Sequence, residues 1–521
     1  MLGSNPPPSP PARRRRGVAL GLASGLALVS ASGLALALAC APKKSATRAP
    51  ATKSPATKSA DAAGEPRSGA TATKAAATAP ILLRGATVMT ATGSILEGAD
   101  LLIEGSTIKA IGVGVAAPAG AEVVDARGKF VTPGIIDTHS HMGVYPAPGL
   151  TAHADGNEMV GPNTAYARAA DGYWPQDPQI ERARAGGVTT AQILPGSANL
   201  FGGRSLTVKL YPWARSAEDA RFQGAPEGLK MACGENPKRI YGQKAGPATR
   251  MGNVHGYRDA FQKAVEYKRS WKKYEKSKAE FDKGKKKGVA LKGDDGKAKE
   301  EPDPPARDFA LETLGLVLDG KLLVHNHCYR ADEMLLMLDL ARTYGFKIRS
   351  FHHAVEAYKI ADRLAEAGTA ASVWADWWGF KAEAFDGIRE NAAMLSAAGA
   401  KPIIHSDSAE GIQRLNQEAA KALAAGRRMG LQIADDEALR WITAYPAWAL
   451  GVDDRTGTLE VGKLADVVVW DGPPFSVYTH AERVYIDGAL VHQRGAVEPR
   501  TDFELGYRDG DLAGDAKGVT P

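Results

Sequence analysis

Val131-Thr132-Pro133-Gly134-Ile135-Ile136-Asp137-Thr138-His139-Ser140-His141-Met142-Gly143 is an apolar run that stops at two histidines one residue apart. Positions i and i+2 of a strand share a face, so His139 and His141 can aim their imidazoles at one point. Pro133-Gly134 punctuates the start, and the β-branched pair Ile135-Ile136 favours a short buried strand. A metal ion is the natural occupant of the point the two rings share.

Working outward, three further runs end in the same manner: Val324-His325-Asn326-His327, Ser350-Phe351-His352-His353-Ala354 and Pro402-Ile403-Ile404-His405-Ser406-Asp407. Each is apolar or β-compatible, and a helical stretch separates it from the next. In order and spacing these runs resemble the amidohydrolase superfamily, whose barrel carries His-x-His on strand one, a His on each of strands five and six, and an Asp on strand eight. The resemblance implies an α/β fold with a (β/α)8 TIM-like barrel over residues 132–450, its chemistry at the C-terminal strand ends. It implies a metal set of His139, His141, His327, His353 and Asp407. His327 is preferred to His325 as the residue nearer its strand end. Adjacent strand residues point opposite ways, so one of His352 and His353 looks inward, and the family's His-Ala or His-Gly pattern selects His353. His405 shares a face with Asp407 and is left open as a core histidine or a neighbour of the metal.

Many members of the superfamily add a bridging carboxylated Lys or a Glu. Leu229-Lys230-Met231-Ala232-Cys233-Gly234-Glu235-Asn236 reads as a strand, and Lys230 and Glu235 cannot both face inward from it. Glu235 lies at its C-terminal end, and the run 234–239 resembles a signature of the imidazolonepropionase-like branch, so Glu235 is favoured. Lys230, Lys209 and no bridge at all stay as alternatives.

The termini read differently. Arg13-Arg14-Arg15-Arg16 precedes an uncharged stretch, 17–39, rich in Ala, Leu and Gly, which ends at Cys40. Residues 1–40 therefore read as a signal peptide of bacterial lipoprotein type, lipidated at Cys40, with an uncleaved membrane anchor and plain secretion as alternatives. Each places the globular part outside the cytoplasm, the lipoprotein in the periplasm. Residues 41–79 carry Ala, Lys, Thr and Pro and too little apolar surface to offset chain entropy, which makes a disordered linker with a reach of about 35 Å.

Of 65 Lys+Arg and 59 Asp+Glu, residues 1–80 hold 11 and 2, leaving 54 against 57. The net charge of +6 is therefore local, and the folded part is no nucleic-acid binder by charge. Short β runs at 80–131 and again at 451–496, the latter opened by Gly457-Thr458-Leu459-Glu460-Val461-Gly462-Lys463, read as two halves of one composite β-sandwich bracketing the barrel. Residues 195–230 read as an insertion with a hairpin near Ser205–Leu210. A charged insertion, 256–305, carries Ala264, Tyr267, Trp271, Tyr274 and Phe281 on one helix face, a stripe expected to pack on the chain's own core, with a polar loop from 283 to 305. Residues 497–521 are a tail. Cys233 and Cys328 are expected to be buried thiols with no disulfide framework.

The resemblance implies a divalent metal, zinc by its imidazole and carboxylate ligands, one or two per chain, and hydrolysis of an amide or cyclic amide C–N bond. Asp407 would move the proton. The substrate is a small molecule, dipeptide-like or an N-acyl amino acid, with Arg330 holding a carboxylate and Trp377 and Trp378 walling an apolar pocket. Membrane contact comes through the N-terminal lipid, and homo-oligomerisation is left open. The rival readings are a deaminase or imidazolone-type ring hydrolase on the same barrel, and an inactive binding lipoprotein.

Overall fold

Alternating β-branched runs near both ends of the chain meet in one eight-stranded sheet. In the computed structural model, which describes residues 79–244, 246–287 and 299–496, the strands run Ala489–Gln493, Ala481–Ile486, Val467–Trp470, Phe130–Pro133, Ile81–Met89, Ile95–Glu104 and Thr107–Gly112, with Glu122–Asp125 added on Ile81–Met89. The two ends join where Val467–Trp470 pairs antiparallel with Phe130–Pro133. Leu83, Val88, Leu101, Ile103, Val467, Val469 and Tyr485 close one apolar core beneath it. The ladder is a single sheet, where the sequence suggested a sandwich of two halves. The signal segment with Cys40, the linker up to residue 78 and the tail from 497 lie outside the described residues, as does 288–298 of the charged insertion.

The metal-motif strands form two further sheets. Ile135–Ser140, Val188–Ile193 and Leu206–Lys209 make one, and Pro402–Ile404, Ala370–Val373, Ile348–His353, Leu323–Cys328, Gly228–Ala232 and Phe201–Arg204 make the other. Seven of these nine are parallel to their motif neighbours and are fed by helices such as Ala331–Tyr344, Ala361–Ala367 and Leu415–Arg428. The other two, Phe201–Arg204 and Leu206–Lys209, are one stretch of chain interrupted at Ser205, and both pair antiparallel. The segment read as a hairpin insertion is therefore a wall strand. Its first half pairs with Gly228–Ala232 and its second half with Val188–Ile193.

The hydrogen bonds do not draw the closed eight-fold ladder expected from sequence. On one side Ser205 N–H donates to Gly228 O at 2.9 Å. On the other, Trp441 and Ile442 stand between the strands, accepting from Ile404 and Ile136 at 3.0 and 2.9 Å, and past the strand end Ser406 N–H donates to Asp137 Oδ1 at 3.2 Å and Asp407 N–H to His139 O at 2.9 Å. Gly134 lets the first motif strand press on its neighbour, since a Cβ there would lie 2.2 Å from Thr189 Oγ1.

Lys209, one of the bridging alternatives, is locked away from the histidines. Its ammonium donates to both Asp466 oxygens at 2.8 and 2.7 Å and to Asp487 Oδ1 at 2.7 Å, tying the wall strand to the sheet of the chain ends. The charged insertion is a helix that starts earlier and ends later than expected, Arg250–Lys286. Its first turns bury Tyr257, Phe261 and Ala264, and Tyr267 reaches Glu312 of the helix Phe309–Leu318 at 3.2 Å. In the described part of the expected polar loop, Glu301 pairs with Lys278 of this helix at 2.9 Å.

Candidate metal centre

The ends of the first, sixth and eighth motif strands converge. Nitrogens of His139, His353 and His405 form one group with ligand atoms within 4.8 Å of each other, and His139, His141 and Asp407 form a second. Asp407 Oδ1 lies 3.2 Å from His141 Nε2 and 3.7 Å from His139 Nε2, and its Oδ2 lies 3.9 Å from His353 Nδ1. His327 touches His353 ring to ring, 4.6 Å between centres. Two of the convergent residues sit at positive φ, His353 at 68° and Asp407 at 47°. Left-handed backbone costs a β-carbon residue about 1–2 kcal/mol, and strain of this kind concentrates at functional sites.

That backbone corrects the reading of the His352-His353 doublet. Strict alternation would send one ring outward, yet both stand 4.8 Å from the His139 ring. The rotation at His353 breaks the alternation that a regular strand would impose. His352 instead continues a line of imidazoles: its Nδ1 is 2.9 Å from His139 Nδ1, and its Nε2 is 2.9 Å from His325 Nδ1. With Lys230 as an ammonium, which can only donate, His139 Nε2 accepts and the proton of His139 sits on Nδ1, facing His352 Nδ1. His352 must then donate from Nε2 to His325 Nδ1. The line ends at His325 Nε2, which has no hydrogen-bond partner.

Whether these groups fit a metal is decided by their lone pairs. His141 Nδ1 donates to Leu194 O at 2.8 Å, because a carbonyl can only accept. That leaves Nε2 3.2 Å from Asp407 Oδ1, and in the neutral ring it offers a lone pair beside the carboxylate, a pair of donors that a cation can join. Both nitrogens of His327 and of His405, and Nδ1 of His353, are buried without a hydrogen-bond partner. Burial holds His139, His327, His352 and His353 far below the usual imidazole range and His405 and His325 down to about 3, so these rings are neutral, and those of His327, His353 and His405 keep nitrogens free for coordination. Burial opposes the charge of Asp407, but the His141 side chain beside it and the nearby Lys230 hold its carboxyl below the ordinary value. Neutral imidazoles around an ionised carboxylate suit a divalent metal.

The bridging candidates separate. Lys230 is buried, 3.3 Å from His139 Nε2 and 3.0 Å from Pro195 O, and burial pushes its amine down to about 8. Glu235 is not brought into the cluster. The strand carrying both ends at Ala232, and Glu235 opens the helix Glu235–Tyr241, 3.7 Å from the ammonium of Lys381. Gly234, at φ 80°, makes the turn between them, where a Cβ would strike Glu383. Cys233 and Cys328 form a disulfide between neighbouring strand ends, with Cα atoms 5.2 Å apart, in place of the expected thiols. They lie beside each other because Ala232 and His327 are ladder partners, a proximity that sequence spacing does not show.

Arg330 is also outside the cluster, exposed and paired with Asp332 at 3.0 Å. Trp377 and Trp378 line a cavity of about 320 Å³ that includes His353. Trp374, unremarked in the sequence, connects the two: it stacks on His353 at 4.3 Å and on Trp377 at 4.8 Å, and its indole N–H donates to Ser406 O at 3.0 Å. Its place directly after the strand Ala370–Val373 is the signal that would have found it.

Fold and centre together define an α/β protein with a buried histidine–carboxylate cluster that could hold a metal ion. The description "Amidohydrolase family" matches residues 341–492. The crystal structure of an amidohydrolase from Thermotoga maritima MSB8 is 36% identical, with a likeness that covers 80% of this chain and 100% of that one at a TM-score of 0.68. Amidohydrolase tasK of Hapsidospora irregularis is 36% identical over 392 residues, 71% of this chain and 37% of that protein, so the chain spans little more than a third of it. An imidazolonepropionase of Mesorhizobium japonicum is 27% identical over 381 residues, 68% of this chain and 80% of that protein. The chain belongs to the amidohydrolase family.

Proposed function

We propose that this chain is a metal-dependent hydrolase that cleaves the C–N bond of a small amide, dipeptide-like or N-acyl amino acid, inside a barrel-like wall made of the two motif sheets. The observation that carries the reading is the convergence of His139, His141 and Asp407, with Asp407 Oδ1 3.2 Å from His141 Nε2 and 3.7 Å from His139 Nε2. His139, His141, His327, His353, His405 and Asp407 would supply the ligands of one or two metals, with Lys230, as amine or as its carbon dioxide adduct, as the candidate bridge. Zinc suits this donor set, and when bound it would polarise the carbonyl and make a water acidic.

The chain's own work is proton transfer and placement. Asp407 is ionised at neutral pH and its backbone is pinned by the bond from its N–H to His139 O, so its carboxylate can take the proton of the attacking water and give it to the leaving nitrogen. Such transfer is worth about 10²–10⁴ in rate. Metal analysis of the purified protein, with a screen of dipeptides, N-acyl amino acids and cyclic ureides, tests the reading. Asp407→Asn is expected to stay folded and keep metal while turnover falls at least about a hundredfold. Near-normal turnover in that variant would overturn it.

The likeness to an imidazolonepropionase favours a second reading, hydrolysis of a cyclic amide on the same centre, which the cyclic ureides in the screen address. The disulfide Cys233–Cys328 supports an exported protein, since such bonds persist in oxidising compartments. With the signal-like residues 1–40 it favours a lipoprotein of the bacterial envelope. Mass spectrometry of the mature N-terminus should find lipid on Cys40, and an intact Met1 would sink that part.

A further inference from the structure

The cavity beside His353 has a polarity that the metal centre does not explain. Its inner wall is a stack of rings leading away from the site: His353, then Trp374, then Trp377 nearly parallel to Trp374 at 13°. Trp377 and Trp378 are 39% and 59% exposed, so apolar ring surface is left open at the mouth. Open aromatic surface at a concave site is a standing place for an apolar group.

The charges on the lining are unequal. Asp376 is neutralised by Lys421, whose ammonium lies 3.0 and 3.1 Å from its oxygens. Asn391 is consumed by the backbone, accepting from Tyr358 N–H and donating to Ala354 O and Val355 O. Arg389 lines the same cavity and has no carboxylate partner among the described residues. Its planar fork suits the two oxygens of a carboxylate. Arg330, the residue the sequence offered for that task, is occupied by Asp332 and does not line the cavity.

We infer that this cavity is the subsite for the substrate's carboxylate-bearing end: Arg389 holds the carboxylate, and Trp374, Trp377 and Trp378 receive an aromatic or large apolar side chain. At about 320 Å³ it has room for one amino-acid end of that kind. The subsite deepens the proposed hydrolase reading and rests on it for the bond that is cut.

Binding separates the two. Titration calorimetry on the full-length, metal-loaded protein would compare N-acetyl-L-phenylalanine with its uncharged amide, N-acetyl-L-phenylalaninamide. Charge-assisted hydrogen bonds set the expected preference for the acid at about tenfold or more. Arg389→Gln should erase that preference while leaving the affinity for the amide unchanged, Arg389→Lys should restore part of it, and Trp377→Ala should weaken both ligands alike. Equal binding of acid and amide by the parent protein, or a preference that survives Arg389→Gln, overturns the subsite. Acid binding that depends on Arg389 in a protein that hydrolyses none of the amides tested would leave the subsite standing and remove the function.

Discussion

Replacing His352 by Phe tests the line of imidazoles behind the metal centre. His352 is fully buried and makes two ring contacts at 2.9 Å, to His139 and to His325. Phe keeps a planar ring and removes both nitrogens. The Nδ1–H of His139 then loses its acceptor, and a buried donor left unpaired costs about 1–3 kcal/mol. His139 can avoid that cost only by turning its ring or moving its proton to Nε2, and either choice withdraws the lone pair that faces Asp407 and Lys230. Loss of such an outer partner typically weakens metal binding 10–100-fold, roughly 1.4–2.7 kcal/mol at 1.36 kcal/mol per decade. The effect should be graded: His325→Phe leaves the bond between His139 and His352 intact, so its loss of affinity should be the smaller. Competition against a chromophoric chelator measures the affinity, and melting of the metal-free proteins checks that both variants fold. An affinity within about twofold of the parent for His352→Phe, or a larger loss in His325→Phe, would refute the tautomer argument.

Two more outcomes follow from the same geometry. Lys230→Met should lower bound metal per chain and Glu235→Gln should leave it unchanged, because Lys230 lies 3.3 Å from His139 whereas Glu235 pairs with Lys381; inductively coupled plasma analysis reads both, and the reverse order would return the bridge to Glu235. Lys209→Met strips the ammonium from the buried Asp466 and its neighbour Asp487, and breaking a buried pair costs about 3–5 kcal/mol. Denaturant unfolding should show that loss, and a change under about 1 kcal/mol would mean that the link between wall strand and end sheet is dispensable.

The sequence alone determined the α/β class, the joining of the two ends of the chain, and the histidines and aspartate to be brought together. Strand periodicity and strand ends are local properties, so the pair His139 and His141 was legible from one short run, and the resemblance to the amidohydrolase superfamily added His327, His353 and Asp407. What only the tertiary structure decided depends on departures from that regularity or on neighbours far apart in the chain. The left-handed backbone at His353 turned two adjacent rings to one side, which no alternation rule contains. The strand of Lys230 ended at Ala232, three residues before Glu235, because Gly234 turns the chain there, and this exchanged the two bridging candidates. Residues 201–209 became an antiparallel wall strand through pairing with two different partners, a choice made by the space between those strands. Cys233 and Cys328, 95 residues apart, met because their strands are ladder neighbours. Arg389 entered the cavity from a loop, where no periodicity marks a side chain's direction and only packing sets it.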